Sequence, residues 1–340
     1  MTKTAAFYFV LPLCILGAAA FAYADDPNIP QFIQNCKNAL AHKSISMKIS
    51  INVEAEGPNI HELTRSYQRH FNFRCDANNA EWAGQHLIFD KEGNVDTRNS
   101  SVIKKILADH RFMELKSKLE GPPRGVIVSK DYQKWHSGLL EDPESGGPLL
   151  GRMYGSNHKS ILDLIEYCPA PKLRDSRETV SGVSCYVLEG VSEYGKVTVW
   201  VSPEKKYALL KWSVIKTGDD LFNSEPVSNS NLRITNWVAE FVVTELKEID
   251  GSFLPAQAVL THTITFADGS VDFSKHSYTV TDIDLNSAIA FDVNLPEGTR
   301  MYVMEEPGIR YIWRNGEIVP DMKGLSFEDI DRMVEDSNSR

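Results

Sequence analysis

Residues 185–212, CYVLEGVSEYGKVTVWVSPEKKYALLKW, contain the pattern that decides the fold. Apolar and polar residues alternate along this stretch, and the alternation is interrupted at Gly195 and again at Pro203. A period of two predicts strands whose two faces meet different environments, while glycine and proline mark the turns between them. The stretch therefore predicts three antiparallel strands joined by two turns.

The same alternation recurs along the chain and predicts a mainly β protein. It is present from residue 44 to 54 and in further segments that continue to residue 295, and the apolar residues 126–128 predict a short additional strand. Asp268-Gly269 marks a turn between two of these segments, because Asp-Gly favours tight hairpins. A ladder of this length, with one apolar and one polar face per strand, predicts a large antiparallel sheet.

Three segments have the spacing of helices instead. Residues 30–42 and 156–167 place their apolar residues on one helical face, and the charged, periodic segment 101–119 is interpreted in the same way. Residues 141–155 are rich in glycine, proline and acidic residues and predict a loop. Strands and helices together predict an α+β protein in which β structure dominates.

Residues 1–24 predict a signal peptide. Lys3 supplies the positive start, residues 5–21 the apolar run, and Ala22-Tyr23-Ala24 the small-residue cleavage site. We expect export to the periplasm or secretion from a bacterial cell, with no transmembrane segment after cleavage. The formal net charge of −10 and the absence of a basic cluster argue against nucleic acid as a partner.

Four cysteines remain after cleavage, at positions 36, 75, 168 and 185. An even number in an exported protein favours disulfides. Three pairings are open, and we favour Cys168–Cys185 together with Cys36–Cys75; the alternative is four buried free thiols. No two of them have the close spacing of zinc ligands, so we expect no metal site and no cofactor.

The C-terminal residues differ in character from the ladder. Asn315-Gly316, between two short apolar segments, predicts a hairpin. Ser326 and Asp329 form a capping-box pattern that predicts the start of a short helix. We therefore expect one domain over residues 25–305 and a small extension over residues 306–340.

The order of these elements resembles the lipoprotein-sorting superfamily, which includes the LolA-like and LppX-like proteins. The similarity lies in Val199-Trp-Val-Ser-Pro-Glu204 followed by an apolar strand, and in the closing pattern Phe291-Asp-Val-Asn-Leu-Pro-Glu-Gly298. It covers roughly residues 30–303. The resemblance implies a curved antiparallel half-barrel whose concave face is covered by helices around an apolar cavity for acyl chains.

Apolar residues on the predicted strands are the candidates to line such a cavity. The alternative for each of them is ordinary core packing beneath the helices. The candidate ligand-binding residues are Trp212, Trp237, Phe241, Leu260, Ile264 and Phe266.

No hydrolase nucleophile elbow, metalloprotease helix or phosphate-binding glycine loop is present in the sequence. We therefore expect a protein that is not an enzyme: a periplasmic carrier that binds acyl chains, lipids or lipidated protein. One alternative is an envelope sensor or adaptor of the same fold that docks a protein partner. Another is a secreted hydrolase that uses scattered Asp, Glu and His residues.

Overall fold

Alternating apolar residues in segment 44–56 form the first strand of one large sheet. In the computed structural model Ile49 is 2% exposed and Ile51 is fully buried, whereas the flanking Lys48 and Asn52 are exposed. This difference is the signature of a strand with one buried face. The structure describes residues 28–42, 44–60, 66–76, 79–90, 92–108, 111–119, 126–129, 139–156, 159–222, 224–229, 233–286 and 295–321.

The described residues form strands β1 to β19 and helices α1 and α2. The helices are α1 (Ile29–Leu40) and α2 (Ile161–Glu166). The strands are β1 (Ser44–Glu56), β2 (Ser66–Asp76), β3 (Ala80–Ile88), β4 (Ser101–Ala108), β5 (Arg111–Lys118), β6 (Val126–Ser129), β7 (Lys172–Leu173), β8 (Glu178–Val180), β9 (Val183–Ser192), β10 (Gly195–Ser202), β11 (Ala208–Thr217), β12 (Leu221–Phe222), β13 (Glu225–Pro226), β14 (Ile234–Ile249), β15 (Ser252–Phe266), β16 (Val271–Leu285), β17 (Arg300–Val303), β18 (Tyr311–Arg314) and β19 (Glu317–Pro320).

Seventeen of these strands belong to one sheet, and β12 pairs with β13 separately. Both β7 and β8 pair with one edge of β9, and the order then runs β10, β11, β14, β15, β16, β1, β2, β3, β4, β5, β6, β17, β18, β19. The described pairs are antiparallel except β6 with β17, which is parallel. No described pairing joins the two ends, so the sheet is open. The expected mainly β, antiparallel architecture is confirmed.

Residues 101–119 form two strands rather than the helix expected from the sequence. β4 and β5 pair in register along their whole length. Ile103 and Leu107 belong to the main core, whereas Ile106 belongs to a second cluster on the opposite face. Because both faces of β4 are buried, apolar residues occur in both alternating positions, and the resulting spacing imitates a helix.

The expected cover of helices over one face of the sheet is wrong. Among the described residues, α1 matches the prediction for 30–42, while α2 is shorter than the predicted segment 156–167 and begins after the Ser160 cap. Both pack near the β9–β11 part of the sheet. Two helices of this length are too few to cover a face of seventeen strands. No helix in the described part of the chain has the length and apolarity needed to cross a bilayer.

The main hydrophobic core lies on one face of the sheet, hereafter the inner face. It draws on β1 to β5, β9 to β11 and β14 to β16. Segment 139–156 is irregular, as expected, but it is also largely buried, and Leu139, Leu149 and Met153 join this core. Tyr278 donates a hydrogen bond from Oη to the carbonyl of Pro143. The segment therefore packs on the inner face, where helices were expected.

All four described cysteines are buried free thiols, not the two expected disulfides. Cys168 belongs to the main core on the inner face, whereas Cys185 belongs to a cluster with Val187 and Trp200 on the other face. The sheet itself lies between these two sulfurs. Cys36 and Cys75 share the main core but are not bonded to each other.

The C-terminal hairpin is β18 and β19, with Asn315 and Gly316 at its turn in left-handed backbone conformations, as the sequence predicts. β18 pairs with β17, so the hairpin continues the large sheet. Trp313 packs with β4, β5, β6 and β17 in a cluster on the outer face. The signal peptide, most of the closing segment 291–298 and the helix predicted after Ser326 lie outside the described residues.

Candidate ligand-binding groove

A groove of about 830 Å³ lies on the sheet where β4, β5, β6 and β17 meet. Two pairings place its side chains: Ser101 lies opposite Lys118, and Ile127 lies opposite Tyr302. Residues paired in register point to the same face of a sheet. The described residues that line the groove are Arg98, Asn99, Ser100, Ser101, Lys116, Ser117, Lys118, Ile127, Tyr302 and Met304.

The apolar floor of the groove is formed by Ile127, Tyr302 and Met304. These side chains are 39%, 52% and 47% exposed, and they are among the few large hydrophobic residues exposed in the described structure. Exposed apolar residues that cluster, rather than scatter, mark binding surfaces. The floor is therefore a candidate contact surface for an apolar ligand.

Strand alternation explains why this floor lies on the inner face of the sheet. On β17, Met301 and Val303 pack into the outer-face cluster, which directs Tyr302 to the inner face. On β6, Val126 and Val128 pack in that same cluster and direct Ile127 inward. The strand pairing extends to Met304, whose backbone N–H donates to the carbonyl of Val128 over 2.9 Å. The outer-face core thus fixes the orientation of the floor.

The groove continues the inner face beyond the end of the main core. Ile103 of the main core lies opposite Lys116 of the groove, so both belong to the inner face. The main core reaches Phe112 on β5 and includes no residue of β6 or β17. The inner face is therefore filled as far as β5, and its apolar surface is exposed beyond that strand.

The rim of the groove is held by a turn between β3 and β4. The Asp96 carboxylate accepts hydrogen bonds from the backbone N–H of Arg98 at 3.0 Å and from the side-chain amide of Asn99 at 2.6 Å. Ser100 Oγ accepts a hydrogen bond from the backbone N–H of Ile88 at 3.0 Å. Aspartate commonly stabilises such turns by capping the following backbone amides. These bonds place Arg98 at the mouth of the groove.

The six residues that the sequence proposes as cavity lining lie elsewhere. Trp212, Phe241 and Leu260 are each 1% exposed and belong to the main core. Trp237 and Phe266 are also buried, and Ile264 packs against the core while partly exposed. The described residues of the groove include none of these six. The structure brings most of them together, but as packed core side chains that contact one another and their neighbours and do not line the groove.

Two histidines adjoin this aromatic core. The His262 ring lies 5.5 Å from the Trp237 ring and 5.7 Å from the His276 ring, measured between centroids. Burial lowers the pKa of His262 to about 3, with a further contribution from His276. Burial, and then the charge of Arg69, lower the pKa of His276 to about 4. Both rings are therefore neutral at neutral pH and pack as apolar groups.

Two partly buried carboxylates of segment 139–156 are engaged by neighbouring groups. Glu144 accepts a hydrogen bond from Tyr67 Oη and forms an ion pair with Arg69. Asp142 lies 3.8 Å from Lys105 Nζ, and its pKa is raised by burial and by the charge of Glu144. These contacts hold the segment on the inner face. Among the described residues, no group of three or more potential metal ligands is placed to hold a metal ion.

Sequence reasoning missed the groove because its residues come from segments that carry no motif. The signal that was available is the apolar triplet Val126-Ile-Val128, in which both faces of a short strand are apolar. Tyr302 and Met304 alternate with Met301 and Val303 in the same way. Such two-sided strands predict that each face meets another apolar surface.

No protein-family model matches the sequence, and no curated protein matches it. Among solved structures, the chain is similar to a DUF1329 family protein from Desulfovibrio piger, with 13% identity over 76% of this chain and 92% of that one, and a TM-score of 0.35. It is also similar to a chain of the Pseudomonas aeruginosa MucA/MucB complex, with 10% identity over 76% of this chain and 99% of that one, and a TM-score of 0.18.

A third similar structure is that of PNGF-II, with 7% identity and a TM-score of 0.23. The match covers 77% of this chain and 31% of that protein. At TM-scores this low, none of these likenesses carries an argument about fold or function. The resemblance to the lipoprotein-sorting superfamily stays a prediction.

Proposed function

We propose that this protein is a non-catalytic binding protein of the bacterial periplasm, or a secreted one, that holds the acyl chain of a lipid or lipidated molecule in the groove. The observation that carries the proposal is the continuity of the inner face. Side chains and segment 139–156 fill that face up to Phe112, and the same face continues as the exposed floor of Ile127, Tyr302 and Met304. An acyl chain on this floor would extend the core by one more apolar layer.

The size of the groove suits a single lipid chain. Its volume of about 830 Å³ lies in the range of small-molecule sites, roughly 300–1,000 Å³. Burying a methylene contributes ~0.8 kcal/mol, so about ten methylenes would contribute roughly 8 kcal/mol before ordering costs. That corresponds to about micromolar affinity, which is weak enough for a carrier to release its ligand.

This proposal moves the ligand site away from the residues expected to line it. Trp212, Phe241 and Leu260 already bury one another, so a ligand among them would have to displace packed side chains. Binding at the groove needs no such displacement. A second candidate is an adaptor that docks a protein partner, because the core around those residues is filled and the exposed Tyr302 and Met304 lie close in sequence to the C-terminal hairpin.

The test is isothermal titration of laurate, below its micelle concentration, into delipidated protein. We expect binding near micromolar Kd for the wild type and at least about tenfold weaker binding for the variant Ile127→Ser/Tyr302→Ser/Met304→Ser. The unfolding temperature of the variant should change little, because all three side chains are exposed.

The matched control is Tyr167→Ser/Val191→Ser/Val271→Ser. These side chains are 64%, 62% and 45% exposed, and none lines the groove. The control should bind laurate like the wild type. A wild type that takes up no laurate, or a groove variant that binds as tightly as the control, would contradict the acyl-binding proposal and leave the adaptor as the function to test.

A further inference from the structure

Three cations surround the apolar floor of an otherwise acidic protein. Lys116 and Lys118 are alternate residues of β5 and both are exposed, while Arg98 lies on the turn before β4. All three line the groove, and no carboxylate is among its described lining residues. The whole chain has a formal net charge of −10. The groove is thus a positively charged site on an acidic protein.

These cations are not used in the ion pairs of the described structure. The lysines of the adjacent strand β4 differ in this respect, since Lys104 lies 3.4 Å from Glu81 and Lys105 lies 3.8 Å from Asp142. Among the described residues, Arg98, Lys116 and Lys118 form no ion pair. Neighbouring cations that form no ion pair repel one another, and an anion between them would relieve that repulsion.

Two carboxylates near the groove are bonded to other groups. Asp96, on the turn that carries Arg98, accepts hydrogen bonds from Asn99, and these bonds hold its pKa below the ordinary value. Glu305, next to Met304, accepts a hydrogen bond from Ser129 Oγ at 2.5 Å. Glu114 lies opposite Ile127 on the inner face, toward the main core from Lys116. The carboxylates thus flank the groove, and the cations concentrate at one end of it.

A hydroxyl group lies beside the cations. Ser101, opposite Lys118, lines the groove on the same face, and in the described part of the chain its hydroxyl has no hydrogen-bond partner. Ser100 differs, because its hydroxyl bonds to the backbone of Ile88. Hydroxyl donors beside cations are the usual surroundings of a carboxylate or phosphate oxygen.

We propose that the groove selects an anionic amphiphile, with a carboxylate or phosphate headgroup on Arg98, Lys116 and Lys118 and the hydrocarbon chain on the floor. The inference rests on the proposed function and adds the charge of the ligand to it. Exposed ion pairs contribute about 0.2–1 kcal/mol each, so three cations should favour an anionic over a neutral headgroup by about tenfold in Kd. This preference should shrink as salt is raised.

The experiment compares four probes that share a twelve-carbon chain: laurate, dodecyl phosphate, dodecanol and dodecyltrimethylammonium. We expect the two anions to bind about tenfold tighter than dodecanol and the cation to bind most weakly. Preference for laurate over dodecyl phosphate would identify a fatty acid as the source of the anion, and the reverse preference a phosphate headgroup. Raising sodium chloride should reduce the affinity for the anions more than that for dodecanol.

The charge variant is Arg98→Gln/Lys116→Gln/Lys118→Gln, and its control with the same change in net charge is Lys172→Gln/Lys196→Gln/Lys247→Gln, at exposed lysines outside the groove. The charge variant should lose the preference for anions and keep its affinity for dodecanol, while the control keeps both. Equal binding of all four probes would overturn this inference and leave the acyl-binding function in place. Binding of none of them would overturn both.

Discussion

Trp212 and Phe241 lie directly opposite each other on β11 and β14, with their rings stacked at 12° and their centroids 5.6 Å apart. Phe241 in turn meets the edge of Tyr278, at 6.3 Å between centroids. Each residue of the stacked pair is 1% exposed. Two of the six residues that the sequence predicts to line a ligand cavity therefore pack against each other in the main core.

Phe241→Ala should lower the free energy of unfolding by about 3–5 kcal/mol, because it removes a large buried ring and leaves a cavity. A double-mutant cycle with Trp212→Ala should give a coupling energy of about 0.5–1.5 kcal/mol for the stacked pair. Urea unfolding of the four proteins provides the measurement. A loss below about 1 kcal/mol for Phe241→Ala would mean that this residue faces an open cavity instead.

His262 and His276 should make the protein sensitive to mild acid. Their folded-state pKa values of about 3 and about 4 lie below the ordinary 6.5, so the unfolded chain binds more protons between pH 6.5 and 4. Stability is therefore complete above pH 6.5 and is lost as the pH falls, by up to about 1.4 kcal/mol per pH unit for each ring. Unfolding free energies measured from pH 7 to 4.5 test this slope.

The double variant His262→Gln/His276→Gln should flatten that slope relative to the wild type. The control is His70→Gln, at an exposed residue, which should keep the wild-type slope. The account of the two buried rings fails if the wild type and the double variant lose stability in parallel between pH 6.5 and 4.5.

Lys216 should have a pH dependence of the same sign, but in the alkaline range. It is fully buried, and its Nζ donates hydrogen bonds to the carbonyls of Gly155 at 2.8 Å and Leu221 at 2.6 Å. Burial lowers its pKa from 10.5 to about 8, so the unfolded chain binds more protons between pH 8 and 10.5. The contribution of this group to stability therefore rises with pH across that window.

The comparison is between the wild type and Lys216→Met, unfolded in urea at pH 7.5 and at pH 9.5. The difference in unfolding free energy, wild type minus variant, should increase by about 1–2 kcal/mol between the two pH values. A difference that stays constant or decreases would show that the lysine keeps an ordinary pKa in the folded protein.

The four described cysteines should be unreactive thiols in the folded protein. Burial raises the pKa of Cys36 and of Cys75 to about 12, and that of Cys185 to about 11, which disfavours the reactive thiolate. Burial also raises the pKa of Cys168. Differential alkylation, first of the native protein and then in guanidinium, should label all four only in the second step. Peptides joined by a disulfide between any two of them would contradict the free-thiol arrangement.

The longer strands of the β ladder were predictable because apolar and polar residues alternate along much of their length. β1, β9 to β11 and β14 to β16 were predicted in this way, and the structure confirms them. β4 and β5 were not predictable in the same way, because Ile103 and Ile106 are buried on opposite faces. Apolar residues on both sides of a strand remove the period of two on which the prediction depends.

The groove was not predictable, because it depends on strand pairing between distant parts of the chain. Ile127 and Tyr302 are neighbours only because β6 and β17 pair in parallel. Lys116 and Lys118 face them only because residues 101–119 form strands. Nothing local in the sequence indicates these pairings. The positive charge of the groove could not be predicted either, because the chain as a whole is acidic.

The central claim is that an acyl chain lies on the floor of the groove. The most direct test maps the residues to which a bound, photoreactive acyl chain becomes cross-linked. A fatty acid with a photoreactive diazirine on its chain is bound to the protein, activated by light, and located by peptide mass spectrometry. We predict adducts in residues 126–129 and 300–304, competed by unlabelled laurate and absent from Ile127→Ser/Tyr302→Ser/Met304→Ser. Adducts confined to the strands that carry Trp212, Phe241 and Leu260 would contradict the claim.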